Sequence, residues 1–176
     1  MTQRLFWPCW LLASVTTGLV AGFMLGHALI LGRLLDWMLA GDPRLLAATY
    51  PTFARSAGST GLTIFYAICG LQIVAVLILL GLASSARRHR LGAAVAAITA
   101  VLWPAVHYVS GFGAVEAITL RSVTPVSADV ATRFLAWNAP VHMAHAALLL
   151  VGLVALLSMP VAAPRRDSTR DSEVAR

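Results

Sequence analysis

The chain of 176 residues has no lysine, only two cysteines and only 11% charged residues. An ordinary soluble domain carries roughly 25% charged residues. That deficit, beside a hydrophobic content of 59%, excludes a water-soluble globule. Cys9 and Cys69 both fall inside apolar runs, which argues against a disulfide framework and a CxxC metal site and for two small buried hydrophobes. The sequence contains no P-loop, no GxGxxG after a strand, no nucleophile elbow and no HExxH helix, so hydrolysis and nucleotide chemistry lack support. No repeat of roughly 20 to 50 residues is visible, which excludes solenoids and propellers.

What is present is a small set of charges in the right places. Thirteen arginines stand against seven acids, for a formal charge of +6. They cap apolar segments instead of alternating with aromatics along a face, so the expected partner is the bilayer and not nucleic acid. No Asp, Glu, Lys or Arg interrupts the stretches between Arg4 and Arg33, Ser56 and Ala86, Leu91 and Val115, or Phe134 and Pro164. A membrane-spanning helix needs about 20 apolar residues, and each stretch supplies them. The fold class predicted is all-α, an integral membrane four-helix bundle with spans at about 8–31, 61–84, 91–113 and 136–158. Residues 1–160 form its one domain, and 161–176 a polar, disordered tail. The first stretch begins like a signal peptide, but its apolar length exceeds the h-region of about 7–15 residues and no small-residue cleavage site closes it. An uncleaved helix is expected.

Arginines in short loops set the orientation. Arg87-Arg88-His89-Arg90 joins the second and third spans, and Arg165, Arg166, Arg170 and Arg176 follow the fourth. Both belong in the cytoplasm, which places both termini there, as in a multi-pass protein of a bacterial inner membrane. Asp42-Pro43 predicts a helix start in the first outer loop, with an apolar stripe of Leu45, Leu46 and Tyr50 and an end at Pro51. Ser127 is a candidate cap for a helix leading into the fourth span. Gly18, Gly22 and Gly26 form a small-xxx-small tract open to close helix approach.

Ionisable side chains inside apolar spans are costly and mark function. His27, His107, His142 and His145 all fall within about 6–14 Å of the outer boundary at 1.5 Å per residue. Asn138, His142 and His145 share one stripe on the fourth helix, and Trp103, His107 and Ser110 one on the third. A lone histidine there is most simply a hydrogen-bonded core residue. Four at one depth point to a functional polar site, catalytic or metal-ligating, since bundles build metal and haem sites from facing helices; the alternative is that they hydrogen-bond across helices and bind no cofactor. With no carboxylate inside the spans, copper or a haem with axial histidines is a better expectation than a di-iron centre. Trp103, Trp137, Asn138 and Tyr66 are the candidate substrate-binding residues. Met24 and Met143 are weaker candidates as soft ligands. Glu116 and Asp129, in the second outer loop, are solvated acids by default and proton carriers at the pocket mouth by alternative. His89 is expected as a solvated loop residue or a lipid-headgroup contact.

Gly22-Phe23-Met24-Leu25-Gly26-His27, Tyr50-Pro51-Thr52-Phe53 and Phe134-Leu135-Ala136-Trp137-Asn138 leading to His142 resemble the anthrone oxygenase-like family of small four-helix membrane proteins. The resemblance implies a membrane oxygenase or related oxidoreductase acting on a flat, apolar aromatic, with His27, Trp137 and Asn138 as pocket residues. The chain departs from that pattern after the Trp-Asn pair, where Pro140, His142 and His145 replace the expected basic or polar residues. The function expected is therefore an oxidoreductase with a histidine-lined pocket near the outer leaflet. The alternatives are a non-catalytic subunit or haem-carrying anchor of a larger complex, and a small proton-coupled transporter. Partners beyond lipid and an apolar small molecule are further copies of the chain or a larger membrane assembly.

Overall fold

A computed structural model describes residues 2–56, 59–87 and 89–160. Helix α1 (Thr2–Gly26) passes through a π-helical turn (His27–Leu31) into α2 (Gly32–Gly41). Then follow α3 (Pro43–Arg55), α4 (Ser59–Ala86), α5 (Arg90–Val109), α6 (Phe112–Arg121) and α7 (Ala128–Ser158). Four helical stretches are long and apolar enough to cross a membrane: Arg4–Gly41, Ser59–Ala86, Arg90–Val109 and Ala128–Ser158. Their outer faces expose large apolar side chains such as Leu19, Ile30, Ile78 and Val154. A bundle in water would hide these, and their exposure is consistent with a multi-pass membrane protein.

The four long helices run up and down. At one end, His89 stacks on Phe6 with ring centroids 5.5 Å apart, and the Trp10 indole donates to the carbonyl of Leu156 at 2.7 Å. The beginning of α1, the α4–α5 turn and the end of α7 therefore lie together, at what we call the arginine end. His89 is thus packed on an aromatic surface, in addition to bordering the arginines. The short helices α3 and α6 lie at the opposite end and pack against each other. Three core clusters follow the bundle axis: one around Val76, Leu79 and Leu156, a middle one around Val20, Trp103 and Leu149, and a third around Leu35, Phe112 and Phe134.

Several boundaries differ from the sequence expectation, each for a local reason. The third span ends at Val109 and not near 113. Gly111 takes a left-handed conformation (φ 74°), the Phe112 amide donates to the Ser110 hydroxyl at 3.3 Å, and the chain turns into α6, an unforeseen helix. Asp42 caps α3 as expected, its carboxylate accepting from the Arg44 amide at 3.0 Å. Pro51 does not end that helix, which continues to Arg55. It forgoes one hydrogen bond, and its ring is buried beside Leu46 and Ala47. The buried face is thus set by Leu46, Ala47 and Pro51, with Tyr50 half-buried and Leu45 largely exposed. Ser127 stands at the N-cap of α7, with its carbonyl accepting from the Ala131 amide. The tail over 161–176 lies outside the described residues.

Close helix approach occurs at glycines other than the expected tract. A Cβ added at Gly22 or Gly26 meets nothing within 4 Å and one at Gly18 makes only an ordinary 3.9 Å contact with the Leu153 side chain, whereas one at Gly152 runs into the Thr99 hydroxyl across the α5–α7 interface. Gly152→Ala should therefore lower stability by about 1–3 kcal/mol, while Gly22→Ala should be neutral or slightly stabilising. Thermal midpoints in detergent check both, and a Gly152→Ala variant as stable as the wild type contradicts the packing described.

Candidate metal centre

The site begins with α7, which passes between α1 and α5. Asn138, His142 and His145 fall on one face of it, as a spacing of four and three requires, and all three are buried. His27 reaches them from the α1–π junction, where its ring stacks on His142 at a centroid distance of 3.9 Å. His107 arrives from the end of α5, with its ring 5.7 Å from that of His145. Trp103, one turn earlier, meets His145 edge-on at 5.6 Å and donates to Gln72, which in turn donates to Thr17. Four histidines from three helices converge.

His27 opens the π-turn. One extra residue in a turn rotates the following face by about 100°, and the Gly32 amide closes the wide turn on the His27 carbonyl. Gly32 has no room for a side chain: a Cβ there would lie 2.8 Å from the His27 carbonyl oxygen and 3.2 Å from the Asn138 amide nitrogen. Through that gap Asn138 donates to the Gly32 carbonyl (3.1 Å) and to the Asp36 carboxylate (2.8 Å). Asp36, itself buried, also faces Arg33 at 3.6 Å. An open cleft of about 320 Å³ lies beside this pair, lined by Arg33, Asp36, Trp37, Ala40 and Leu135.

The residue that changes the chemistry is Glu116. The sequence offers it as a solvated loop acid or as a proton carrier at the pocket mouth, and α6 turns it inward. Phe112, Val115 and Thr119 form the buried face of that helix, and Glu116 adjoins it. The helix sits tightly over the site because Gly113 leaves the His107 ring space that a Cβ would occupy, 2.8 Å away. One carboxylate oxygen of Glu116 lies 3.6 Å from His142 Nε2 and the other 3.5 Å from His107 Nε2. His27, Glu116 and His142 present ligand atoms that all lie within 4.8 Å of one another. The sequence carries only a weak signal for this: residues 112, 115, 116 and 119 share one face next to Gly111 and Gly113, over too few residues for a strong helical period.

Hydrogen bonding fixes the protons. His142 Nδ1 lies 2.8 Å from the Asn138 carbonyl. A carbonyl only accepts, so Nδ1 carries the hydrogen, and Nε2 turns a lone pair toward Glu116. An ionised Glu116 would therefore face an acceptor with an acceptor. Either a proton or a metal cation between them resolves this. Burial pushes the Glu116 carboxyl up from 4.5 to about 7. Tyr50, on the facing helix α3, is also pushed up, first by burial and then by the Glu116 charge. His27 Nε2, both ring nitrogens of His145 and the side-chain oxygen of Asn138 are buried without a hydrogen-bond partner among the described residues. Each such group costs about 1–3 kcal/mol when left unpaired.

The remaining expected residues divide. Trp103 and Asn138 join the histidines, but Trp137 and Tyr66 do not: they are 55% and 68% exposed, on the outer surface of the bundle. Met24 is buried in the middle core cluster, Met143 faces outward and Asp129 is exposed.

A carboxyl whose folded-state value exceeds its unfolded one holds a proton that unfolding releases. The metal-free protein should thus lose stability as pH rises from about 4.5 to about 7, by on the order of 3 kcal/mol. Glu116→Gln removes this contribution, so its thermal midpoint in chelator should gain on the wild type between pH 5 and pH 8. Parallel pH profiles for the two proteins contradict a buried Glu116. Compared with protein-family models, with curated proteins and with solved structures, the chain matches none, and the chemistry of the centre rests on its own geometry.

Proposed function

We propose that the chain is a multi-pass membrane oxidoreductase of the oxygenase kind, built around a transition-metal ion held by His27, His142 and Glu116 and acting on an apolar aromatic substrate. The observation that carries this reading is the buried meeting of the Glu116 carboxylate with a His142 nitrogen locked as an acceptor, 3.6 Å apart. Ligand atoms around an ion with bonds of about 2.0–2.2 Å sit about 3.3 Å from each other in tetrahedral geometry, close to that separation. Two imidazoles and one carboxylate suit iron(II) or copper and leave coordination positions open for dioxygen or water. Haem fits less well, because His27 and His142 are stacked face to face at 3.9 Å and leave no plane for a macrocycle between them.

The residues around the ion have distinct tasks. The Asn138 carbonyl fixes the His142 tautomer, a role that raises the basicity of a ligand and orients its ring. The Asn138 side chain ties α7 to the backbone of Gly32 and to Asp36, holding the π-turn that bears His27. The cleft beside Asp36 offers Trp37 and Leu135 as apolar walls for a substrate arriving from lipid. Resemblance to the anthrone oxygenase-like family supports the reaction class. The arginine end, which carries Arg4, Arg87 and Arg90, faces the cytoplasm by the positive-inside rule, and the metal centre then lies toward the outer leaflet.

Protein purified without a histidine tag and loaded anaerobically with iron(II), or with copper(II), should retain the metal through gel filtration. His142→Ala and Glu116→Gln should each weaken retention by at least about tenfold. Retention equal to that of the wild type in both variants contradicts the ligand assignment. A reporter fused after Arg176 should be active in the cytoplasm, and activity on the far side of the membrane inverts the orientation.

A further inference from the structure

His145 lies one turn beyond His142, about 4.5 Å further along α7 toward the arginine end, and is 1% exposed. Neither of its ring nitrogens has a hydrogen-bond partner among the described residues. The neighbouring indole offers it none, because the Trp103 N–H is committed to Gln72. The His145 ring meets those of His142 at 5.5 Å, Trp103 at 5.6 Å and His107 at 5.7 Å. Its nitrogens do not belong to the set of ligand atoms that close on one point, which is His27, Glu116 and His142. A polar ring buried this deeply is costly unless something pairs with it.

We infer that His145 is the hydrogen-bond donor to a small ligand, an anion or a diatomic molecule, that the ion carries in an open coordination position. This rests on the metal-centre reading above and adds to it the residue that holds the ion's non-protein ligand. Glu116 reaches the ion from α6, which closes the outer end of the bundle. The side left open is the inner one, where His145 lies. A ligand atom about 2 Å from the ion and a hydrogen bond of about 2.7–2.9 Å together span about 4–5 Å, the reach of a side chain one helical turn past a metal ligand. A neutral imidazole supplies one N–H for this bond. The surroundings limit the ligand's size: Trp103 meets the ring edge-on, and Ala146 and Leu149 belong to the packed middle core cluster. That leaves space for a few atoms and none for an aromatic ring, whose cleft lies apart, beside Asp36. An apolar setting also strengthens a hydrogen bond to an anion.

The test uses the full chain, purified in detergent without a histidine tag and loaded with copper(II), or with iron(II) that is then oxidised to iron(III). Metal retained through gel filtration is counted by mass spectrometry, and azide is titrated in while its charge-transfer band to the metal is recorded. His145→Phe keeps a buried ring without an N–H. It should retain metal as the wild type does and bind azide at least about tenfold more weakly. His145→Gln, which can donate, should recover most of the affinity. Metal-loaded His145→Phe that binds azide as tightly as the wild type overturns this role of His145 and leaves the three ligands standing, as does a wild type that retains metal but binds no azide. A wild type that retains neither metal overturns the metal centre itself, so the two failures are distinct. One measurement needs no variant: the antisymmetric stretch of azide bound to the wild type should shift when the protein is prepared in deuterium oxide, and an unshifted band overturns the hydrogen bond.

Discussion

A carboxylate cannot rest against the lone pair of a buried imidazole unless something positive lies between them, and much of this molecule is arranged to bring those two groups together. The Asn138 carbonyl holds the His142 hydrogen on Nδ1, so the opposite nitrogen must accept. Glu116 arrives at 3.6 Å from that nitrogen on a helix that lies outside the four long spans. A proton satisfies the pair at the cost of the carboxylate charge. A metal ion satisfies it with that charge in place, and also gives a partner to the otherwise unpaired nitrogen of His27. Metal affinity should therefore compete with protonation of Glu116, as expected wherever ligands must be deprotonated.

Two backbone irregularities make the arrangement possible. The π-turn that opens at His27 resets the face of α2 relative to α1, and Gly32 at its close leaves room for the Asn138 amide. The left-handed Gly111 ends α5 and redirects the chain into α6, where Gly113 clears the His107 ring. Gly111 and Gly113 serve the docking of α6, and Gly32 the local approach of α7 at Asn138. The long helices also meet at Gly152 against Thr99 and through small residues in the core near Val76 and Leu79.

The sequence made the four long helices legible, because runs without charge are long and need only be counted. It also placed His27, His107, His142 and His145 at one level, since helix rise and alternating direction are simple geometry. What it concealed was lateral position. Trp137 and Tyr66 share that level yet point outward, because the rotational setting of each helix depends on how it packs against its neighbours. Glu116 was hidden for a different reason. Ten residues of α6 are too few for a strong periodic signal, and an acid between two spans reads as solvated until the fold brings it against the bundle. The π-turn was equally illegible, since nothing in His-Ala-Leu-Ile-Leu distinguishes it from ordinary helix.

Locating a bound metal tests the central interaction most directly. In crystals of the copper- or iron-loaded protein, anomalous scattering at the metal edge should place density inside the bundle, within about 2.0–2.2 Å of His142 Nε2 and a Glu116 oxygen. Density only at the protein surface, or a Glu116 side chain turned to solvent with α6 undocked, would contradict it.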